Sequence, residues 1–475
     1  MKRYKIKAAV CVLVSCAIVT GCGSTRLTIE TGEVSESMVQ EEIIEEMNQA
    51  AAKSTVEDMV ETRAGDLPWE GFPFPYAYSE EDRDTKENYF TLKEVLDDYD
   101  IMWEQLEENS PYLLMAEEMG IDLEEVKRKG RSFFSQVLGE NKNIKGEGIL
   151  WALNRGFDEL KWLGHISAVP PENYEYLKTA LTQNVGDLTK GFGKVMARQT
   201  ELMTNEKTDK LYEYILTDRF GTGEERKKNE AAVITKDEIE TGKVGTGIPY
   251  IKIKTCNEKD IDEIRNFLKG NEKAENIIID MQGNTGGNTL AWREGIVAPL
   301  IQEPVKQEKV WAIKSGKLNQ YYWDGEQPDY TLPDPISKEE REKTLQNMNS
   351  KDDDTLQYVL VKSTISPSQE HFEFEGRLWL LVDEKVYSAS DAFTLFCKEQ
   401  NFATIVGKVT GGNGGGTQPQ CIALPNTGVL IYYDAFMSFN SDGSCNGIHG
   451  EQPDIEVQDG EAALEVCLKA IEASK

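Results

Sequence analysis

The segment from Ile248 to Asp280 constrains the fold more than any other stretch. Ile248-Pro-Tyr-Ile-Lys-Ile-Lys254 alternates as a half-buried strand does. Asp260 to Leu268 has helical spacing, and Asn276-Ile-Ile-Ile-Asp280 is a short apolar run of the kind buried on both faces. Strand, helix, strand is the building unit of an α/β core. A further apolar run, Leu378 to Val382, stops at a charged turn, Asp383 to Lys385. Small residues, Ser388-Ala389-Ser390, then open a helical segment from Asp391 to Gln400. More strands are expected at Thr404–Val406, Gln420–Leu424 and Val429–Tyr433, with a closing helix from Gly460 to Ser474.

Ahead of this core lies a helical block, about Thr91 to Leu163. Leu92, Leu96, Tyr99, Trp103 and Leu106 recur every three to four residues and mark one apolar helix face. Ile149 to Leu160 reads as another helix, ending at Leu163-Gly164-His165, where glycine suits a helix C-terminus. Pro170-Pro171 blocks its continuation, and a second helical stretch is expected from about Glu172 to Thr217. The segment from about Val305 to Glu375 is polar and poorly periodic, and is expected to be an insertion acting as a lid or a solvent-exposed excursion. The division expected is a signal peptide at 1–21, an acidic flexible tether at 22–80, a helical subdomain at 81–220 and the α/β core at 221–475. Pro68 to Tyr78, rich in aromatics and prolines, is expected to strap onto the folded body.

The formal net charge is −31 over 475 residues. That argues against a nucleic-acid-binding face and against adsorption of the folded surface to anionic lipid, both of which need a basic patch. The N-terminus is different. Lys2, Arg3, Lys5 and Lys7 precede an apolar run, Ala8 to Thr20, too short to span a bilayer. The run ends Val19-Thr20-Gly21-Cys22, which resembles a bacterial lipobox, so lipidation of Cys22 and an extracytoplasmic, cell-membrane location are expected. Cys256, Cys397, Cys421, Cys445 and Cys467 remain in the body, where one pair among the last four is possible. Their scatter shows no metal-ligand spacing, and neither metal nor cofactor is expected.

Three loops at strand ends carry residues suited to chemistry: Asp280-Met-Gln-Gly-Asn284-Thr-Gly-Gly287, the turn to Ser388, and Gly407-Lys-Val-Thr410-Gly-Gly-Asn413-Gly-Gly-Gly416. Glycine there allows backbone to approach a substrate. Gly286, Gly287 and the amide of Ala389 are candidates to hold an oxyanion. Taken alone, the serine stretch reads first as a helix N-cap supplied by Ser388 or Ser390.

In order along the chain, Asp-x-x-x-Asn-x-Gly-Gly, Ser-Ala-Ser-Asp, Gly-x-x-Thr and the late Pro453-Asp-Ile-Glu-Val457 resemble the carboxyl-terminal processing protease family, with its tail-specific and tricorn core branches. The resemblance runs from about Ile248 to Val457 and more weakly into the helical block. It implies a crotonase-like α/β fold and serine endopeptidase chemistry on polypeptide substrates, with Ser388 as nucleophile. Where many bacterial members carry a lysine base, this chain has Asn413, which cannot act as one. The tricorn-like branch uses a histidine after the helical block, and that position is His165, one of only three histidines. Gly447 stands where that branch has a glutamate, which leaves Glu451, Asp442, Asp434 or a backbone carbonyl to orient the imidazole. Gln282 replaces a usual arginine, and no evident PDZ module lies between His165 and Ile248. The alternative on the same fold is a non-catalytic lipoprotein that captures peptide or another ligand.

Overall fold

The structure is a computed structural model. It describes residues 77–79, 88–138, 142–160, 163–171, 173–175, 178, 199–223, 225–226, 239–322, 335–344, 355–416, 418–440 and 443–474. The signal peptide, Cys22 and Asp442 lie outside the described residues, as does the 22–80 segment except for Ala77–Ser79.

The described residues begin with strands β1 (Ala77–Ser79) and β2 (Tyr89–Thr91) and helices α1 (Leu92–Asn109) and α2 (Leu123–Leu138). Strand β3 (Lys142–Lys145), helix α3 (Gly146–Phe157), strand β4 (Ser167–Ala168) and helix α4 (Glu206–Phe220) follow. α1 starts where the sequence predicts. Thr91 and Glu94 form a reciprocal capping box, and Leu96, Tyr99, Trp103 and Leu106 form its buried face. β3 pairs with both β1 and β2, so Ala77–Ser79 is bound to the body through a sheet.

The α/β core contains β5 (Ile239–Val244), β6 (Ile248–Ile253), helix α5 (Ile261–Gly270) and β7 (Asn276–Asp280). It then contains β8 (Val305–Lys314), β9 (Leu356–Ile365), β10 (Arg377–Val382), helix α6 (Ala389–Gln400) and β11 (Thr404–Gly407). β12 (Gln420–Ala423), β13 (Leu430–Tyr433), β14 (Phe436–Ser438), β15 (Ile455–Glu456) and helix α7 (Ala463–Ala473) complete it. The main sheet has the order β15-β11-β10-β7-β6-β5. All its pairings are parallel except the β5–β6 hairpin.

Burial explains why β7 and β10 read as continuous apolar runs. Ile277 and Ile279 pack with Ile264, Leu268, Phe393 and Phe396 from α5 and α6, while Ile278 packs with Cys467 and Ile471 of α7. In β10, Leu378, Leu380 and Val382 join the first group and Trp379 and Leu381 the second. Alternate side chains thus enter opposite layers, and helices cover both faces of the sheet. Each of the three isoleucines of β7 is 1% exposed or less, and each contributes about 1.5–3 kcal/mol. The carboxyl ends of β7, β10 and β11 lie side by side in this sheet and feed the three glycine- and serine-bearing loops.

The segment from Val305 to Glu375 departs from expectation. Its described part contains β8 and β9, paired antiparallel over their full ten-residue lengths, with β14 on the other edge of β8. Val310 to Ile313 are all buried, in one hydrophobic cluster with α1, α2, α3, β12 and β13. The segment is therefore built into the core, and that core crosses residue 220, so the helical block shares its interior with the later strands. All five cysteines of the body are free and buried, and none forms a disulfide.

Candidate active site

Ser388 sits between β10 and α6 in a conformation that ordinary residues avoid, with φ 57° and ψ −122°. Such a backbone costs about 1–3 kcal/mol and persists only where its surroundings enforce it. The enforcing contacts are backbone bonds on both sides. Ser388 donates its N–H to the Gly412 carbonyl at 2.9 Å, Tyr387 donates to the Asn284 carbonyl at 3.2 Å, and Gly411 donates to the Val386 carbonyl at 2.8 Å. Ser390 adds its hydroxyl, which donates to the Asn284 carbonyl at 2.6 Å. The serine turn is thus held to both glycine-rich loops.

The Ser388 side chain makes no capping bond to α6. Its Oγ lies 3.0 Å from Nε2 of His165 instead. Of the two serines, Ser390 is the structural one, and Ser388 presents its hydroxyl at the N-terminus of a twelve-residue helix.

His165 follows Gly164, whose φ of +69° suits glycine. A Cβ at Gly164 would lie 2.9 Å from Asp434 Oδ2 and 3.0 Å from the Tyr112 ring, so the position also demands the absence of a side chain. Asp434 follows β13 and is 3% exposed. Its Oδ1 is 2.9 Å from His165 Nδ1, and its Oδ2 accepts the His165 backbone N–H at 2.8 Å. Asn413 Nδ2 donates to Asp434 Oδ2 at 2.9 Å and to Tyr387 Oη at 3.1 Å, and it lies 2.7 Å from His165 Nδ1. Tyr112 donates to Asn413 Oδ1 at 2.6 Å, and Tyr387 donates to the Gly164 carbonyl at 2.8 Å. Burial raises both phenols well above the ordinary tyrosine range, so each remains a hydroxyl donor. The Tyr387 and His165 rings meet edge to face, with centroids 5.2 Å apart.

The carboxylate against the imidazole is therefore Asp434. Glu451, named as a candidate, has no contact with His165. Its backbone pairs with Thr410, and its Oε1 is buried without a hydrogen-bond partner among the described residues. Burial, then repulsion from Asp391 and Glu399, pushes its carboxyl up to about 8. At Gly447, a Cβ would collide with the Tyr112 ring, which fills the space a side chain there would need.

The glycine pair also needs a correction. Gly286 donates its N–H to Asn284 Oδ1 at 2.8 Å, so that donor is already used. Gly286 brings the backbone close instead. Its φ is +112°, and a Cβ there would stand 2.8 Å from Ser388 Cβ and 3.1 Å from the Ala389 nitrogen. The N–H groups of Gly287 and Ala389 have no protein partner among the described residues. Asn284 is the linchpin of this loop: fully buried, it also donates to the Ile253 carbonyl at 3.0 Å. The acid of Ser-Ala-Ser-Asp has an equally structural task. Buried Asp391 accepts from the Thr410 hydroxyl, from Gly414 N at 3.0 Å and from Asn446 Nδ2 at 3.0 Å, which fastens the third loop to α6. Among the described residues no cluster of His, Cys, Asp or Glu is arranged to hold a metal ion.

An arrangement in which hydroxyl, imidazole and carboxylate follow one another at hydrogen-bond distance can activate the hydroxyl as a nucleophile. Sequence reasoning placed Asn413 near the site only as a residue that cannot be a base, and it missed Tyr387, directly before Ser388, and Tyr112, which no spacing along the chain marks. No curated protein matches the sequence. Solved structures show low-identity likeness. Mature CPAF is 19% identical, with 46% of this chain and 49% of that one covered, at a TM-score of 0.31. The photosystem II D1 C-terminal processing protease is 12% identical, with 47% and 49% covered, at 0.30. A lipoprotein from Streptococcus agalactiae is 14% identical, with 66% and 100% covered, at 0.32. The chain spans about half the length of the first two. The family model for Peptidase family S41 matches residues 247–457, which hold Ser388, Asn413 and Asp434 but not His165. Residues 247 to 457, with the parallel strands of the main sheet and the helices that cover them, are thus similar to peptidase family S41.

Proposed function

We propose that the protein is a serine endopeptidase held at the outer face of a bacterial cell membrane by a lipid on Cys22. The observation that carries the enzymatic reading is the 3.0 Å approach of Ser388 Oγ to His165 Nε2, with Asp434 on the other ring nitrogen. Ser388 Oγ attacks the carbonyl carbon of a peptide bond while His165 Nε2 takes the hydroxyl proton. Asp434 stabilises the imidazolium that results. The oxyanion forms beside the N–H groups of Ala389 and Gly287, at the positive end of α6. His165 then gives its proton to the leaving amine, the C–N bond breaks, and an acyl ester remains on Ser388. Water, activated by the same imidazole, hydrolyses that ester and restores the hydroxyl. The anchor reading is supported by the basic start, the apolar run and Gly21-Cys22.

The test is turnover of unfolded polypeptide by the mature protein beside Ser388→Ala and His165→Ala. Activity should vanish in the first and fall by several orders of magnitude in the second. Full activity in either would overturn the mechanism. Absence of turnover in the parent protein, with peptide binding that survives Ser388→Ala, is the outcome expected of a non-catalytic capture protein.

A further inference from the structure

Asn413 occupies the position where the family resemblance places a lysine base, and the geometry points to a different task. We propose that Asn413, oriented by Tyr112 and Tyr387, is a positioning residue that sets the tautomer of His165 through Asp434. The inference deepens the serine peptidase reading and rests on it.

The argument is a count of donors and acceptors. The Tyr387 hydroxyl donates to the Gly164 carbonyl and the Tyr112 hydroxyl to Asn413 Oδ1, so both proton directions are imposed from the ends of the chain of bonds. The amide oxygen faces Tyr112, and the amide nitrogen must face Asp434 and Tyr387. Its two hydrogens are then used, one on Asp434 Oδ2 and one on Tyr387 Oη. Oδ2 also receives the His165 backbone N–H, and of the two carboxylate oxygens Oδ1 is the nearer to the ring nitrogen, at 2.9 Å against 3.1 Å. In this set Asp434 Oδ1 receives a donor from the ring only if His165 carries its proton on Nδ1; a proton on Nε2 would find Ser388 Oγ but would turn the bare Nδ1 lone pair toward the carboxylate. With the proton on Nδ1, Nε2 presents a lone pair to Ser388, the form a general base requires.

The 2.7 Å approach of Asn413 Nδ2 to His165 Nδ1 makes the arrangement conditional. With the Asp434 carboxylate within reach of both, both nitrogens donate to it. With Asp434 removed, the Asn413 N–H has the ring as its nearest acceptor. It would then bind a bare Nδ1, move the ring proton to Nε2, and face Ser388 with a donor. The same amide supports the active tautomer with Asp434 present and opposes it without.

Backbone conformation decides which variants are informative. Asn413 has φ 62°, where asparagine is tolerated and alanine is strained. Asn413→Gly removes the amide and keeps that conformation, and Tyr112→Phe removes only the oxygen that orients it. The readout is the pair of imidazole nitrogen shifts of His165 in full-length protein labelled with ¹⁵N-histidine, at a pH where the ring is neutral. The parent protein should show the Nδ1–H form alone. Asn413→Gly and Tyr112→Phe should populate the Nε2–H form, with fluorophosphonate labelling of Ser388 slowed about tenfold or more in Asn413→Gly. Asp434→Ala should show mainly Nε2–H, and Asp434→Ala/Asn413→Gly should return to a mixture. Identical tautomer populations in the parent, Asn413→Gly and Tyr112→Phe would overturn the inference, and Tyr112→Phe decides it if the glycine variant does not fold. An Nδ1–H parent that fails to label at Ser388 would sink the peptidase reading while leaving the positioning role in place.

Discussion

Asp434 holds His165 twice, once through the backbone N–H at 2.8 Å and once through the ring at 2.9 Å. The carboxylate is therefore registered against the main chain as well as the imidazole, and the ring has little freedom to turn. Asp434→Asn keeps the shape but offers a donor to Nδ1. Turnover should fall about a thousandfold or more, with KM little changed. Steady-state kinetics on the purified variant check this, and a loss confined to KM would contradict it.

Gly286 and Gly287 make the second prediction. A Cβ on Gly286 meets Ser388 Cβ and the Tyr387 carbonyl at 2.8 Å, and one on Gly287 meets the Cys256 backbone, with positive φ at both. Gly286→Ala should displace the serine turn and abolish labelling of Ser388 by a fluorophosphonate. Gly287→Ala should cost stability as well, because backbone atoms cannot yield as side chains do. Labelling of Gly286→Ala at the parent rate would contradict the close approach.

Glu451 links pH to stability. Its carboxyl is raised from 4.5 to about 8 by burial, then by Asp391 and Glu399, with Lys309 and Lys398 acting the other way. A raised folded pKa means that the bound proton stabilises the fold fully below the ordinary glutamate range. That stabilisation is lost as pH climbs from about 4.5 to about 8. Glu451→Gln carries a neutral group at every pH. Its melting temperature should therefore gain on the parent steadily from pH 5 to pH 8. A gap that stays constant or narrows over that range would contradict the buried, protonated acid.

The thiols make a chemical prediction. Burial raises Cys256, Cys445 and Cys467 to about 12, and Cys397 well above the ordinary range. At pH 8 these four should resist iodoacetamide in the native protein and react fully in denaturant. Peptide mass spectrometry reads each site, and rapid native alkylation of any of them would show that its segment opens.

The parts of this molecule legible in the sequence are those written locally. Ile277 to Ile279 announce a strand buried on both faces, and the order of glycine turns around Ser388 announces neighbouring strand ends. His165 could be found because histidine is scarce. The acid was legible only as one of three candidates, because Asp434 lies 269 residues from its partner and follows a short strand with no distinguishing pattern. Tyr112 and Asn413 are 301 residues apart and meet only in the folded chain. Reliance on family spacing also pointed the wrong way, since the Tyr112 ring fills the space beside Gly447. In β8 the charged first half, Lys306 to Lys309, masks the buried second half, Val310 to Ile313, so a core strand reads as a polar excursion.

The most direct test of the central claim is fluorophosphonate labelling of the mature protein, with the modified residue located by mass spectrometry. The account predicts a single adduct on Ser388, none in Ser388→Ala, and labelling slowed by orders of magnitude in His165→Ala and Asp434→Ala. An adduct on another serine, or a parent rate retained in His165→Ala, would contradict it.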